Sequence, residues 1–186
     1  MSPVTHFFIG WLVANTAKLD KRDRALVTVA GIISDADSLV IVADLLAGKS
    51  EPFRWYGEFH HVLTHNIGFA FLVTLLGFML AKRRWITTFL VFISFHLHLL
   101  GDIAGSRGPD DYQWPIPYLW PFSNSFQLVW EGQWKLNAWQ NVVITGIVIV
   151  LTLFFAWKRG YSPLEMISAK ADAIFVRTLR QRFGNP

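Results

Sequence analysis

Three stretches of this chain are apolar and free of charge, and what closes each of them restricts the fold to a few solutions. Asn66–Ala81 runs into Lys82, Arg83 and Arg84, and Val142–Trp157 stops at Lys158 and Arg159. Trp85–Leu100 is apolar apart from His96 and His98 and is followed by Asp102. Each run is about 16 residues, a little short of the roughly 20 that cross a bilayer as a helix, and flanking Trp, Asn and Thr extend them. Backbone groups in hydrocarbon must bond within their own segment, so the expectation is an all-α, polytopic helical bundle in a membrane.

Composition agrees. The chain is 53% hydrophobic and 16% charged, against about 25% charged in a typical soluble domain. Nine Trp and sixteen Phe suit a membrane–water interface. No cysteine is present, which excludes disulfides and thiolate metal ligands. The basic clusters punctuate apolar runs, so the positive-inside rule accounts for them better than nucleic-acid binding does. The N-terminus shows no basic region leading to a small-residue cleavage site, so no removable signal peptide is expected.

Shorter elements fill the rest. Ser2 and Pro3 read as an N-cap and first-turn proline for a helix reaching towards Lys18. Two more apolar segments, Ala25–Ile33 and Leu39–Leu46, flank the Ser34-Asp35-Ala36-Asp37 turn. The expected layout is a membrane helical domain over residues 1–160, with segment 103–138 as a lid, and a tail over 161–186. Ser162-Pro163-Leu164-Glu165 reads as a capping box opening that tail. Leu164, Ile167, Ala171, Ile174, Phe175 and Leu179 then share a face opposed by Lys170, Arg177, Arg180 and Arg182. Such a helix either lies on an anionic membrane surface or packs on the protein itself.

The polar residues at segment ends carry the chemistry. His6 opens the first segment, Asp35 and Asp37 close the second, His60, His61 and His65 precede the fourth, and His98 and Asp102 end the fifth. Imidazoles and carboxylates beside hydrocarbon are costly unless paired or metal-bound. If the basic clusters face the cytoplasm, all of these groups fall on the opposite, extracytoplasmic face, with the tail cytoplasmic. His98 and Asp102 are spaced i,i+4 and project from one helix face, as a chelating pair or as a histidine oriented by its carboxylate. His61 and His65 share a face, whereas His60 meets His65 only if a helix starts between them. Asp37 is either part of the site or an N-cap, Thr64 and Asn66 read as caps, and His96 points elsewhere.

His and carboxylate ligands without cysteine suit zinc, with manganese or iron as alternatives, in a site for one or two ions. Metal-activated hydroxide attacking a phosphoryl or carbonyl centre is the chemistry such a set performs. Neither a Gly-x-Ser-x-Gly elbow nor a phosphate-binding glycine loop is present.

Thr5-His6 with Gly10, Asp35-x-Asp37, His60-x-x-x-Thr64-His65, His98-x-x-x-Asp102 and Trp120-Pro121-Phe122-Ser123 stand in an order that resembles the YdjM-type inner-membrane proteins, described as membrane-bound metal-dependent hydrolases. That family is similar in turn to zinc-dependent phospholipase C, an all-helical bundle with a multi-zinc site. The resemblance implies ligation by His6, Asp35 or Asp37, His60, His65, His98 and Asp102, and hydrolysis of a phosphodiester or phospholipid-like substrate. Two departures stand out. His61 and Asn66 occupy positions where the family commonly has Arg and Ser, and no later His-x-x-x-Glu completes a trinuclear site. A mono- or dinuclear centre is therefore expected. Asp37 or His61 would act as general base or orienting group, and Arg54 or Arg107 would anchor an anionic head group. The Trp114–Trp120 segment, with Trp120 as its contact residue, would line a groove for membrane lipids or anchor the loop. The rival readings are a structural metal staple and a proton or metal transporter. The lack of internal repeats and the placement of ligands at helix ends argue against transport.

Overall fold

The computed structural model describes residues 1–46, 60–108 and 112–186, with the side chains of residues 43 and 44 excepted. Among the described residues the protein is all-helical: α1 (Pro3–Ala14), α2 (Lys21–Ala30), a 3-10 turn (Ile33–Leu39) leading into α3 (Val40–Leu46), α4 (Ile67–Leu80), α5 (Arg84–Gly105), α6 (Trp139–Arg159), a second 3-10 turn (Pro163–Met166) and α7 (Ala169–Phe183). Helices α5 and α6 are long and apolar enough to cross a membrane. A third such element exists if α2 and the segment Ile33–Val42, bent by 54° at their junction, are one broken span. Helix α4 is apolar but short, at 14 residues.

Local signals explain most boundaries. Ser2 caps α1 through Thr5 N–H, with Pro3 in the first turn. Asp20 caps α2 through Asp23 N–H, and Asn66 caps α4 through Phe69 N–H. Gly160 ends α6 in the left-handed conformation (φ 80°), where its own N–H returns to Ala156 O. The first segment stops at Ala14 rather than reaching Lys18, because the Asn15 amide folds back onto Trp11 O at 2.8 Å.

The packing places two ends of the molecule apart. At one end, Asp23 accepts from Lys82 N–H, Arg83 N–H and the Thr87 hydroxyl, at 2.9–3.0 Å. Arg24 donates to both oxygens of Glu165 at 2.7 and 2.6 Å, which ties the tail to α2. A core of Ala14, Leu19, Val27, Ala30, Leu90 and Val91 backs this basic end. At the other end, Ala70, Phe95, Leu99 and Ile116 form a second core beneath the histidines.

Between the two ends, α1, α2 and α5 meet at glycines. A methyl at Gly10 would stand 2.8 Å from Thr28 O and 3.1 Å from Ser94 Oγ. Gly10→Ala is therefore expected to lower stability by about 1–3 kcal/mol through overpacking, read as a lower unfolding temperature in detergent.

Two expectations are corrected. The segment expected to act as a lid from residue 103 is helical at its start, because α5 continues through Asp102 to Gly105. Its ends are tied down: Gln133 Nε2 donates to Asp102 O, and Trp134 Nε1 to Asn141 Oδ1, both at 2.8 Å. The capping box at Ser162 does not form. Ser162 caps only the 3-10 turn, its N–H goes to Asp172 Oδ1, and Glu165 turns to Arg24 instead. The tail helix starts afresh at Ser168, whose hydroxyl accepts from Ala171 N–H.

Candidate metal centre

Four ligand-type side chains converge where the 3-10 turn, the segment before α4 and the end of α5 meet. One ligand atom from each of Asp35, His65, His98 and Asp102 lies within 4.8 Å of all the others. His98 Nε2 stands 3.2 Å from His65 Nε2, 3.0 Å from Asp102 Oδ2 and 3.7 Å from Asp35 Oδ1, and His65 Nε2 stands 3.5 Å from Asp102 Oδ2. With metal–ligand bonds of about 2.0–2.1 Å, two ligands of a tetrahedral ion stand about 3.3 Å apart. The cluster has the edge lengths of such a cage.

The proton inventory also calls for a cation. His98 Nδ1 donates to the Gly31 carbonyl at 2.9 Å, and His65 Nδ1 faces Asp37 Oδ2 at 2.9 Å. Both Nδ1 atoms therefore hold the proton in the neutral rings, and both Nε2 lone pairs point into the space shared with Asp35 and Asp102. Burial alone would keep His65 neutral, but its hydrogen bonds to Asp102 and Asp37 outweigh that and raise its pKa to about 9. The site thus attracts positive charge, whether a proton on His65 or a divalent metal. The carboxylate behind His65 and the carbonyl behind His98 are the supports that metal-ligating histidines ordinarily have.

Asp37 is the organiser of the surrounding shell. Its Oδ1 meets His60 Nδ1 at 3.0 Å, while its Oδ2 accepts from His61 N–H at 3.0 Å and from His65. It is not a helix cap. His61 reaches it by adopting φ 65°, a left-handed conformation that costs an ordinary residue roughly 1–2 kcal/mol. The His61 ring is buried, and burial holds it well below the ordinary histidine pKa. Its Nδ1 has no hydrogen-bond partner among the described residues. Thr64 donates to Ser34 O, which locks this turn to the Asp35 segment.

The other sequence-selected residues divide cleanly. His6 Nε2 meets the second oxygen of Asp102, Oδ1, at 3.1 Å, so His6 borders the four-residue cluster through a shared carboxylate. The N-terminal ammonium contacts the same oxygen. His60 joins the shell through Asp37 and packs edge-on to Trp114 at 5.2 Å. His96 bonds Tyr118 Oη at 2.9 Å, away from the cluster. Arg107 borders a cavity of about 970 Å3 whose lining includes Asp35, Asp102, His60, His61 and Trp114. Trp120 is not among the residues lining it, and Arg54 lies outside the described residues.

Sequence reasoning missed two glycines of the site. Gly31 supplies the carbonyl that holds His98, a backbone role with no side-chain signature. Gly101 makes room for the His6 ring, since a methyl there would stand 2.8 Å from His6 Cε1. Its only sequence trace is a small residue immediately before Asp102.

Replacing Asp37 by Asn keeps the shape but removes the charge that orients His65. Metal affinity is expected to fall about 10–100-fold, measured by competition with a chromophoric chelator.

Fold and site together define a class: an all-helical membrane protein with a buried His/Asp cluster, able to hold a metal ion, at one end of its bundle. The family model of the YdjM inner membrane protein matches residues 1–177, and the chain belongs to that family. No curated protein and no solved structure matches the chain.

Proposed function

We infer that the protein is a metal-dependent hydrolase of the membrane, acting on a phosphodiester or phospholipid-like substrate. The observation that carries this reading is the opening of the cluster onto a cavity. Asp35 and Asp102 belong both to the four-residue cage and to the lining of the 970 Å3 space. A site built only to staple helices has no need of access, whereas a catalytic metal keeps an open position.

The residues then take distinct roles. Asp35, His65, His98 and Asp102 hold the cation, and zinc suits two imidazoles and two carboxylates. A divalent metal there supplies Lewis acidity and activates water at neutral pH. Asp37 fixes the tautomer and orientation of His65. His61 lines the cavity and has a buried Nδ1 with no hydrogen-bond partner among the described residues, and it is the group that would accept the proton of attacking water. Arg107 draws in the anionic part of the substrate, and Trp114, at the start of the segment expected to line the groove, supplies an apolar wall. The positive-inside rule puts the basic end in the cytoplasm and the site on the extracytoplasmic side of a multi-pass chain.

The test is hydrolysis of an activated phosphodiester and of phospholipid by detergent-purified protein. Activity should vanish on chelation and return with zinc. His61→Ala should keep its metal while the rate falls by about 10²-fold. Hydrolysis indifferent to chelation would overturn the reading.

A further inference from the structure

We propose that the outer face of α7 docks on anionic phospholipid head groups beside the end of α6. The tail separates its charges by side. Both of its carboxylates turn inward: Glu165 is held by Arg24, and Asp172 accepts from the Ser162 N–H and hydroxyl at 2.7 and 2.6 Å. The outward side therefore carries exposed cations, Lys170, Arg177 and Arg182, with no acidic side chain of the tail to neutralise them.

Apolar groups lie among those cations. The apolar residues of the tail divide in two. Val176, with Asp172, is buried against the protein, while Ile167 is 85% exposed, Ile174 46% and Phe183 71%. A helix that only packed on its own protein would have turned these residues in. Its position is also fixed relative to the span that precedes it, because Trp157 Nε1 donates to Gly184 O at 2.7 Å and Arg180 Nε to Trp157 O at 3.1 Å. A hollow of about 600 Å3, lined by Gly160, Val176, Arg177, Arg180 and Gln181, lies at this junction. It combines two guanidinium groups with space for a phosphate-bearing head group.

Basic side chains interleaved with exposed aliphatic and aromatic ones, beside the end of an apolar span, match a surface that is negative outside and apolar within. A lipid surface offers both at the depth where α6 ends. This inference is independent of the metal site.

The chain has no cysteine, so one introduced cysteine gives a single reporter. Full-length Ile174→Cys, carrying a polarity-sensitive fluorophore, is placed in nanodiscs of phosphatidylcholine with or without phosphatidylglycerol. The expected result is a blue shift with phosphatidylglycerol and at least about a twofold gain in quenching by lipid-borne quenchers. Both should reverse at about 1 M salt, where charges are screened beyond roughly 3 Å. Adding Lys170→Gln, Arg177→Gln and Arg182→Gln should abolish the shift. Ile167→Cys gives the same readout at a more exposed position, so the test survives a misfolded first variant. Emission unchanged by anionic lipid at both positions would overturn the proposal. So would a shift that requires two protein copies per disc, which would make the occupant a second chain.

Discussion

Asp102→Asn is expected to abolish metal binding while the protein remains helical. Asp102 is the one carboxylate reached from every side of the centre: Oδ2 faces His98 and His65, and Oδ1 faces His6 and the N-terminal ammonium. Removing its charge takes away an anionic ligand and leaves an amide whose NH2 group, if turned inward, opposes the very lone pairs that a cation would satisfy. The loss should exceed the 10–100-fold expected for Asp37→Asn, because Asp37 acts only through the imidazoles it orients. Elemental analysis beside far-UV circular dichroism separates loss of metal from loss of fold. His98→Gln should behave in the same way, since it also releases the Gly31 carbonyl.

Arg24→Met is expected to be the most destabilising change at the basic end. The Arg24 and Glu165 side chains are each 9% exposed, and the pair is bidentate, with the Arg24 Nη1 also donating to Leu19 O. Deleting one partner leaves a buried, uncompensated carboxylate, which typically costs about 3–5 kcal/mol. Arg24→Met paired with Glu165→Leu should recover much of that loss, because an apolar pair of similar volume leaves no charge stranded. Thermal unfolding of the two variants in the same detergent reads the difference. The metal site, at the far end of α1 and α5, should keep its metal in both.

The contrast between these two sites explains what could be read from the sequence. The spans were legible because hydrocarbon demands uncharged runs, and α5 and α6 lie where those runs predicted, each a few residues longer. The four members of the cluster able to hold a metal were among the residues singled out, because histidines and aspartates at the ends of apolar segments have few other reasons to be there, whereas His6 and His60, expected as ligands too, stand outside the four. Its internal order was not. Nothing in the spacing of His60, His61 and His65 says that all three meet Asp37, because that depends on a turn in which His61 takes a left-handed backbone. Gly31 was hidden for a related reason, since it acts through a carbonyl that every residue possesses.

The tail shows the opposite failure. A local pattern, Ser-Pro-x-Glu, promised a capping box, but Glu165 found a stronger partner 141 residues away in Arg24. Tertiary charge pairing overrode the local signal. The apolar stripe of the tail was likewise read as one face, yet packing buries Val176, which lies outside that stripe, and leaves Ile167 and Ile174 exposed.

Whether Asp35, His65, His98 and Asp102 form a metal centre is decided on the purified wild-type protein. Metal content by elemental analysis, combined with X-ray absorption at the edge of the metal found, reads both occupancy and ligand type. One or two equivalents of a transition metal are expected, in a shell of nitrogen and oxygen at about 2.0–2.2 Å. Protein that takes up no metal after careful loading, or that binds it without imidazole nitrogen in the shell, would contradict that expectation.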